Sequence, residues 1–272
     1  MLTLSNPSVV VDSVTKTYPV NDPSIFDRIK PGASNRVTAL DNISFVSNKG
    51  DYVGVIGRNG SGKSTLFRLI AGSESPSRGQ ILVDGEPTLL GVSAALQPQL
   101  SGVMNIKLGL LAQGVSKIEV EQRWKEVADF ADIGDAVYRP MKTYSSGMGS
   151  RLKFAISTEV VRDILLVDEA LSTGDAAFAD RAQERMDRFL DGAGTIFLVS
   201  HGTGLIEDNC NRALWLHEGK VVTEGEPKVV CKLYRDWAHR LVTGKPDEAA
   251  EFFAQAKASY KIPKFHYESI NG

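Results

Sequence analysis

Residues 54–67, GVIGRNGSGKSTLF, hold four glycines, one lysine and a Ser-Thr pair between one apolar run and the start of another. Residues that build no core stand here beside residues that do, and a strongly negative ligand lodged among them accounts for the arrangement. Gly57-Arg58-Asn59-Gly60-Ser61-Gly62-Lys63-Ser64 matches the phosphate-loop pattern G-x-x-x-x-G-K-[ST]. That pattern carries meaning only after a strand and before a helix. YVGVIG predicts a compact buried strand, and residues 64–71 predict a helix beginning. The glycines let backbone N–H groups converge on phosphate oxygens, and the helix N-terminus adds the positive end of its dipole. Lys63 is expected to reach the β- and γ-phosphates and Ser64 to offer its hydroxyl to Mg²⁺, with Thr65 next in the helix.

The rest of the chain alternates strands with helices. SVVVDSVTKTY (8–18) predicts a strand ending on an aromatic, VTALDNISFVSNKGD a strand and turn, and GQILVDGEP another strand and turn. Residues 19–36 are rich in Pro, Asn, Asp and Ser around Ile25, Phe26 and Ile29, as a loop with a short helix would be. From about 101 to 160 the pattern turns helical, and Ile118, Trp124, Val127, Ala128 and Ala131 are placed near one face. DILLVDEA and GTIFLVS are continuous apolar runs of the kind found in buried parallel strands. ALWLHEGKVVTEG predicts a hairpin around Glu218-Gly219, and KPDEAAEFFAQAKASY an amphipathic helix. Alternation of this kind implies an α/β fold with a substantially parallel sheet.

Three further elements carry chemistry. Ile164-Leu165-Leu166-Val167 delivers Asp168 at a strand end, where it can hold Mg²⁺ through water. Glu169 follows directly and can polarise an attacking water as general base. TYSSGMGSRLKFA (143–155) predicts a polar turn and then a helix from about Met148, a second N-terminus suited to phosphate. Ser145 and the N–H of Gly147 are the groups aimed at a γ-phosphate, with Ser146 between them. If the helical insertion holds this turn away from its own phosphate loop, two copies facing each other solve the geometry. His201 ends the strand TIFLVS, where an imidazole can hydrogen-bond the γ-phosphate and orient water. His217, His239 and His266 have no such context and are expected to be structural.

The phosphate loop, YSSGM, LLVDEA, STGDAAF and VSH, in this order and spacing, resemble an ABC-transporter ATPase subunit over about residues 8–235. YSSGM followed by RLKFA, together with GDAAF after the second carboxylate, is similar to the Wzt-type ATPases of polysaccharide exporters, which serve O-antigen, teichoic acid and actinobacterial galactan chains. The resemblance implies a P-loop NTPase fold, an ABC nucleotide-binding domain with an antiparallel β subdomain and a helical subdomain. It implies ATP and Mg²⁺ as cofactors, Tyr18 stacked on adenine, and Asp175 in the loop joining two facing subunits. It further implies a homodimer working with two copies of a polytopic, Wzm-like membrane permease, with a lipid-linked glycan as cargo. The ATPase would then sit peripherally on the cytoplasmic face of the cell membrane. LSGGQ, usual in the wider superfamily, is replaced by Tyr144-Ser145-Ser146-Gly147-Met148. The glutamine that the family often carries after the ILVDG strand is missing from its expected place near Gly91–Ser93, and neither Gln97 nor Gln99 is assigned its role. The expected domains are an ATPase domain over 8–240 and a short helical tail over 241–272. That tail is too short for the β-sandwich some of these exporters carry.

Composition sharpens the exclusions. The 272 residues are 42% hydrophobic and 24% charged, with a net charge of −2, so no basic excess marks nucleic acid as a partner. Cys210 and Cys231 form no CxxC pair, which argues against zinc or a disulfide framework and for reduced thiols in a cytosolic protein. No signal peptide is expected, and no apolar run approaches the roughly 18 residues of a membrane span. A soluble ABC ATPase of repair or translation usually carries two cassettes or a long coiled coil, and one phosphate loop with a short insertion fits neither. A transporter of lipids, drugs or nutrients would share the motor and differ in cargo.

Overall fold

The structure is a computed structural model that describes residues 6–19, 36–90, 96–160, 162–168, 178, 180–182, 184–185, 194–199, 202–263 and 265; of Leu90 and Asp168 only the backbone is described. The chain divides into two compact units, Met1–Pro87 with Thr195–Gly272, and Thr88–Gly194.

In the first unit, β1 (Pro7–Pro19) lies between β2 (Arg36–Asn48) and β4 (Arg78–Val83), antiparallel to both. β1 is long and β-branched, and Val9, Val11 and Val14 are fully buried. Its register slips around Ser13, whose φ of 53° marks a bulge. The Ser13 N–H leaves the ladder and donates to Ser44 Oγ (2.8 Å).

A parallel layer follows. β3 (Tyr52–Ile56) runs parallel to β7 (Thr195–Val199) on one side and β8 (Arg212–His217) on the other. β9 (Lys220–Gly225) closes this layer antiparallel to β8. Helix α1 (Lys63–Ile70) buries Leu66, Phe67, Leu69 and Ile70, and the Phe67 ring meets Phe197 edge-on at 6.5 Å. Helix α5 (Thr203–Asn209) approaches β3 so closely that a Cβ on Gly54 would lie 2.2 Å from the Ile206 side chain. Helices α6 (Pro227–Val242) and α7 (Pro246–Ala258) each start with Pro in the first turn, where its missing N–H costs nothing. The amphipathic helix expected over residues 245–260 is present as α7, and its Ala249 and Ala256 are buried in the cluster around Trp215 and Trp237. Cys210 and Cys231 are free thiols, and burial pushes them up to about 12 and about 11.

In the second unit, β5 (Pro87–Leu90) neighbours β6 (Ile164–Asp168). Helices α2 (Gly102–Ala112), α3 (Lys117–Ala131) and α4 (Ser146–Ser157) pack around Ile106, Leu110, Val127 and Leu152. Gly109 lets α2 approach α4, since a Cβ there would lie 2.4 Å from Ile156. Ser116 and Glu119 form a capping box at the start of α3. The face expected for α3 is corrected at one residue. Val120, Val127 and Ala131 are buried and Trp124 packs partly against them, but Ile118 is 75% exposed. At roughly 100° per residue, Ile118 stands about half a turn from Val127, so it points to the opposite side of the helix.

Candidate functional site

The loop between β3 and α1 is shaped by glycines where a side chain has no room. Gly57 has φ 153°, and a Cβ there would sit 2.2 Å from the Leu216 carbonyl oxygen and 2.6 Å from Ser61 Oγ. Gly62 has φ 105° and caps α1 without a side-chain hydrogen bond, leaving the helix start open. Lys63 is 7% exposed, and its Nζ donates to the carbonyls of Gly57 (2.7 Å) and Arg58 (3.1 Å). The ammonium is therefore folded back over its own loop. Ser61 is 3% exposed, and its Oγ has no hydrogen-bond partner among the described residues. A buried hydroxyl left unpaired is costly, and a phosphate oxygen is the acceptor this cradle fits. Ser64, Arg58, Asn59 and Gly60 are exposed, while Thr65 is buried and accepts from Arg68 (3.4 Å).

The loop is held from behind by a segment that no local sequence pattern connects with it. Glu218 (φ 47°) and Gly219 (φ 75°) form the tight turn of the β8–β9 hairpin, both in the left-handed region that a type I′ turn requires. The Gly219 N–H donates to the Ser61 carbonyl (3.0 Å), and the Asp41 N–H donates to the Gly219 carbonyl (2.9 Å). Arg58, Asn59, Gly60 and Ser61 line an open cavity of about 410 Å³ with His217 and Glu218. The His217 ring lies 4.8 Å from Trp237 and 4.9 Å from Phe253. Burial holds its pKa below the ordinary value; Glu218 opposes that shift, and Arg58 and Lys257 reinforce it.

Tyr18 sits near the end of β1 with its hydroxyl donating to Glu74 (2.6 Å) and accepting from Arg68 (3.4 Å), and with the Lys16 ammonium 5.0 Å from its ring centre. Lys16 and Arg68 both pair with Glu74, at 3.0 and 2.9 Å. The hydrogen bond from Tyr18 is the largest influence lowering the Glu74 pKa. Lys16, Arg68 and Glu74 stand apart in sequence, and nothing in their local pattern marks them as the holders of this ring.

In the second unit, Ser145 caps α4, with its Oγ accepting from the Met148 N–H (3.2 Å). The helix starts at Ser146, two residues before the expected Met148. Ser145, Ser146 and Gly147 are exposed, and the N–H groups of Ser146 and Gly147 lie in the open first turn. The Tyr144 hydroxyl anchors this turn by donating to the Ala136 carbonyl (2.8 Å). Asp168 ends β6 after three residues with no exposure, Ile164, Leu165 and Leu166; its side chain lies outside the described residues. Glu169, Asp175 and His201 also lie outside them, as do residues 20–35, Gly91–Ser93 and His266. The backbone of Gln97 is tied to the buried Asn105, whose amide accepts from its N–H (2.6 Å) and donates to its carbonyl (2.9 Å). Among the described residues no cluster of His, Cys, Asp or Glu stands ready for a metal, and no helix is long and apolar enough to cross a membrane.

A glycine loop with a lysine folded over it, on a strand–helix joint, is a phosphate loop of the P-loop nucleotide-binding kind, and similarity to known proteins narrows the class: the chain belongs to the ABC transporter ATP-binding family. The family model for ABC transporters matches residues 40–172. Among curated relatives, the teichoic acids export ATP-binding protein TagH of Staphylococcus epidermidis is 36% identical over 249 residues, covering 90% of this chain and 94% of its own. TagH of Bacillus anthracis is 42% identical over 238 residues, covering 85% of this chain but 43% of its own. The chain thus spans under half the length of the Bacillus relative. Solved structures share the fold at low identity. The ATP-binding cassette MJ0796, as a dimer in a post-hydrolysis state with ADP and Pi, has a TM-score of 0.63 at 22% identity, covering 80% of this chain and 98% of its own. An ATP-binding subunit of an ABC transporter has a TM-score of 0.65 at 21% identity, covering 90% of this chain and 99% of its own.

Proposed function

We propose that the chain is the ATP-hydrolysing subunit of an ABC exporter that moves a lipid-linked polysaccharide, of the teichoic-acid kind, across the cytoplasmic membrane. The observation that carries this reading is the near-full-length identity with the staphylococcal export subunit, set on a chain whose phosphate cradle is intact. Lys63 releases the carbonyls of Gly57 and Arg58 and takes the β- and γ-phosphates instead, as a stronger, charge-assisted contact. Gly57, Arg58, Asn59, Gly60, Ser61, Gly62 and Thr65 line the phosphates, and the Ser61 hydroxyl gains its missing partner. Ser64 and Asp168 would hold Mg²⁺, which would neutralise phosphate charge. Tyr18, fixed by Glu74, stacks on adenine. Glu169 takes a proton from the attacking water and His201 orients that water as the γ-phosphate leaves ADP.

Two copies form the working unit. Ser145, Ser146 and Gly147 of one copy close on the γ-phosphate held by the other, and Asp175 lies at their junction. Closure drives two copies of a polytopic permease, and hydrolysis reopens the pair, a two-state switch biased by the γ-phosphate. The subunit sits peripherally on the cytoplasmic face of the membrane. Co-purification with a co-expressed polytopic permease, followed by ATPase assay with and without lipid-linked glycans, tests the reading. Stimulation by the glycan is expected; stimulation by a lipid or drug in its place would reassign the cargo.

A further inference from the structure

The segment Leu216–Gly219 touches the phosphate loop twice. The Leu216 carbonyl packs where Gly57 has no Cβ, and the Gly219 N–H donates to the Ser61 carbonyl (3.0 Å). A peptide unit is planar and trans, so its C=O and N–H point in opposite directions. Holding the Ser61 carbonyl from behind therefore aims the Gly62 N–H the other way, into the cradle. The turn that does the holding has no slack. A Cβ on Gly219 would lie 2.7 Å from the Ala39 carbonyl oxygen, and the Asp41 N–H fixes the Gly219 carbonyl.

Between those two contacts stands His217, and its surroundings come from the C-terminal helices. Trp237 of α6 and Phe253 of α7 meet its ring edge-on at interplanar angles of 76° and 63°. The same two rings pack on the fully buried Trp215 two residues earlier, at 5.4 and 5.6 Å. We propose that helices α6 and α7 set the shape of the phosphate loop through His217, with Phe253 a positioning residue for nucleotide binding. Closely packed aromatic contacts transmit displacement because neither ring can yield without opening a void. The charged groups facing His217 are Glu218 in the turn, Arg58 in the loop and Lys257 on α7, so the imidazole also sits in the field of the loop it supports. The inference rests on the reading of residues 57–65 as a nucleotide cradle and adds the tail as its support.

The test is calorimetric titration of the 272-residue chain with MgATP, alongside Phe253→Ala, Phe253→Leu, Phe253→Tyr and Phe252→Ala. Phe252 packs in the same cluster but faces Arg240 at 4.5 Å, so its loss reports on stability alone. Phe253→Ala is expected to raise the MgATP Kd about five- to tenfold, a typical coupling between linked sites. Phe253→Leu, which keeps most of the bulk and no ring, should fall between, and Phe253→Tyr should recover affinity to within about twofold. Phe252→Ala should bind within about twofold of the parent even though it unfolds at lower temperature. The His217 ring-proton resonance should shift when MgATP binds the parent chain and shift less in Phe253→Ala. Parent-like affinity in folded Phe253→Ala or Phe253→Leu would overturn the coupling alone. Equal weakening by Phe252→Ala would reduce it to general destabilisation. A parent chain that binds no MgATP would sink the cradle reading and this inference together.

Discussion

Gly57→Ala is the sharpest test of the loop geometry. Ordinary van der Waals contact for a Cβ begins at 3.4 Å, and the added Cβ would meet the Leu216 carbonyl oxygen at 2.2 Å. That atom is backbone near the end of β8, where Leu216 pairs with Val221 of β9, so it cannot rotate away as a side chain would. Making room requires the loop and the hairpin to part by roughly an ångström, which strains the hydrogen bond from Gly219 to Ser61. Overpacking of this kind costs about 1–3 kcal/mol. Alanine at φ 153° adds about 1–3 kcal/mol of backbone strain. The expected loss is about 2–6 kcal/mol, which at an m of about 1–3 kcal/mol per molar moves the urea midpoint down by roughly 0.7 M or more. Trp215 and Trp237 report it by fluorescence, being buried in the unit that carries the loop. MgATP affinity should fall at the same time. A midpoint within about 0.2 M of the parent, with unchanged affinity, would mean that the loop does not pack on Leu216 as described.

Other perturbations follow from the same geometry. Lys63→Ala removes the ammonium, and losing charge-assisted contacts of about 1.5–3 kcal/mol should weaken MgATP about 10- to 100-fold by calorimetry; unchanged affinity would count against the cradle. Glu169→Gln should bind MgATP normally, trap a closed dimer detectable by size-exclusion chromatography, and lower ATPase turnover about 10²- to 10⁴-fold. Ser145→Arg places a long cation at the open start of α4 and should abolish that MgATP-dependent dimer while each subunit still binds nucleotide. Tyr18→Phe removes the hydrogen bond that most lowers the Glu74 pKa, so that pKa should move back towards 4.5. Because a depressed carboxylate stabilises above its unfolded value and loses that contribution as pH falls through its folded value, acid unfolding of Tyr18→Phe should begin at higher pH.

What the sequence determined by itself was local. The strand, glycine loop and helix over 52–70, the hairpin turn at Glu218-Gly219 and the helix at 246–258 are written in backbone preferences, caps and short apolar runs. Each such signal acts within a few residues of the atoms it places. Ile118 marks the limit: an apolar residue in a helix is legible, but which side of the helix is buried depends on what packs there. The tertiary structure alone decided how the cradle is supported. Leu216 and Gly219 lie more than 150 residues from the loop they hold. They reach it because β8 pairs with β3, a topology that no local propensity encodes. The same holds for Glu74 beneath Tyr18 and for Phe253 against His217. Those contacts exist only once the sheet and helices have condensed, when burial rather than sequence distance sets which groups are neighbours.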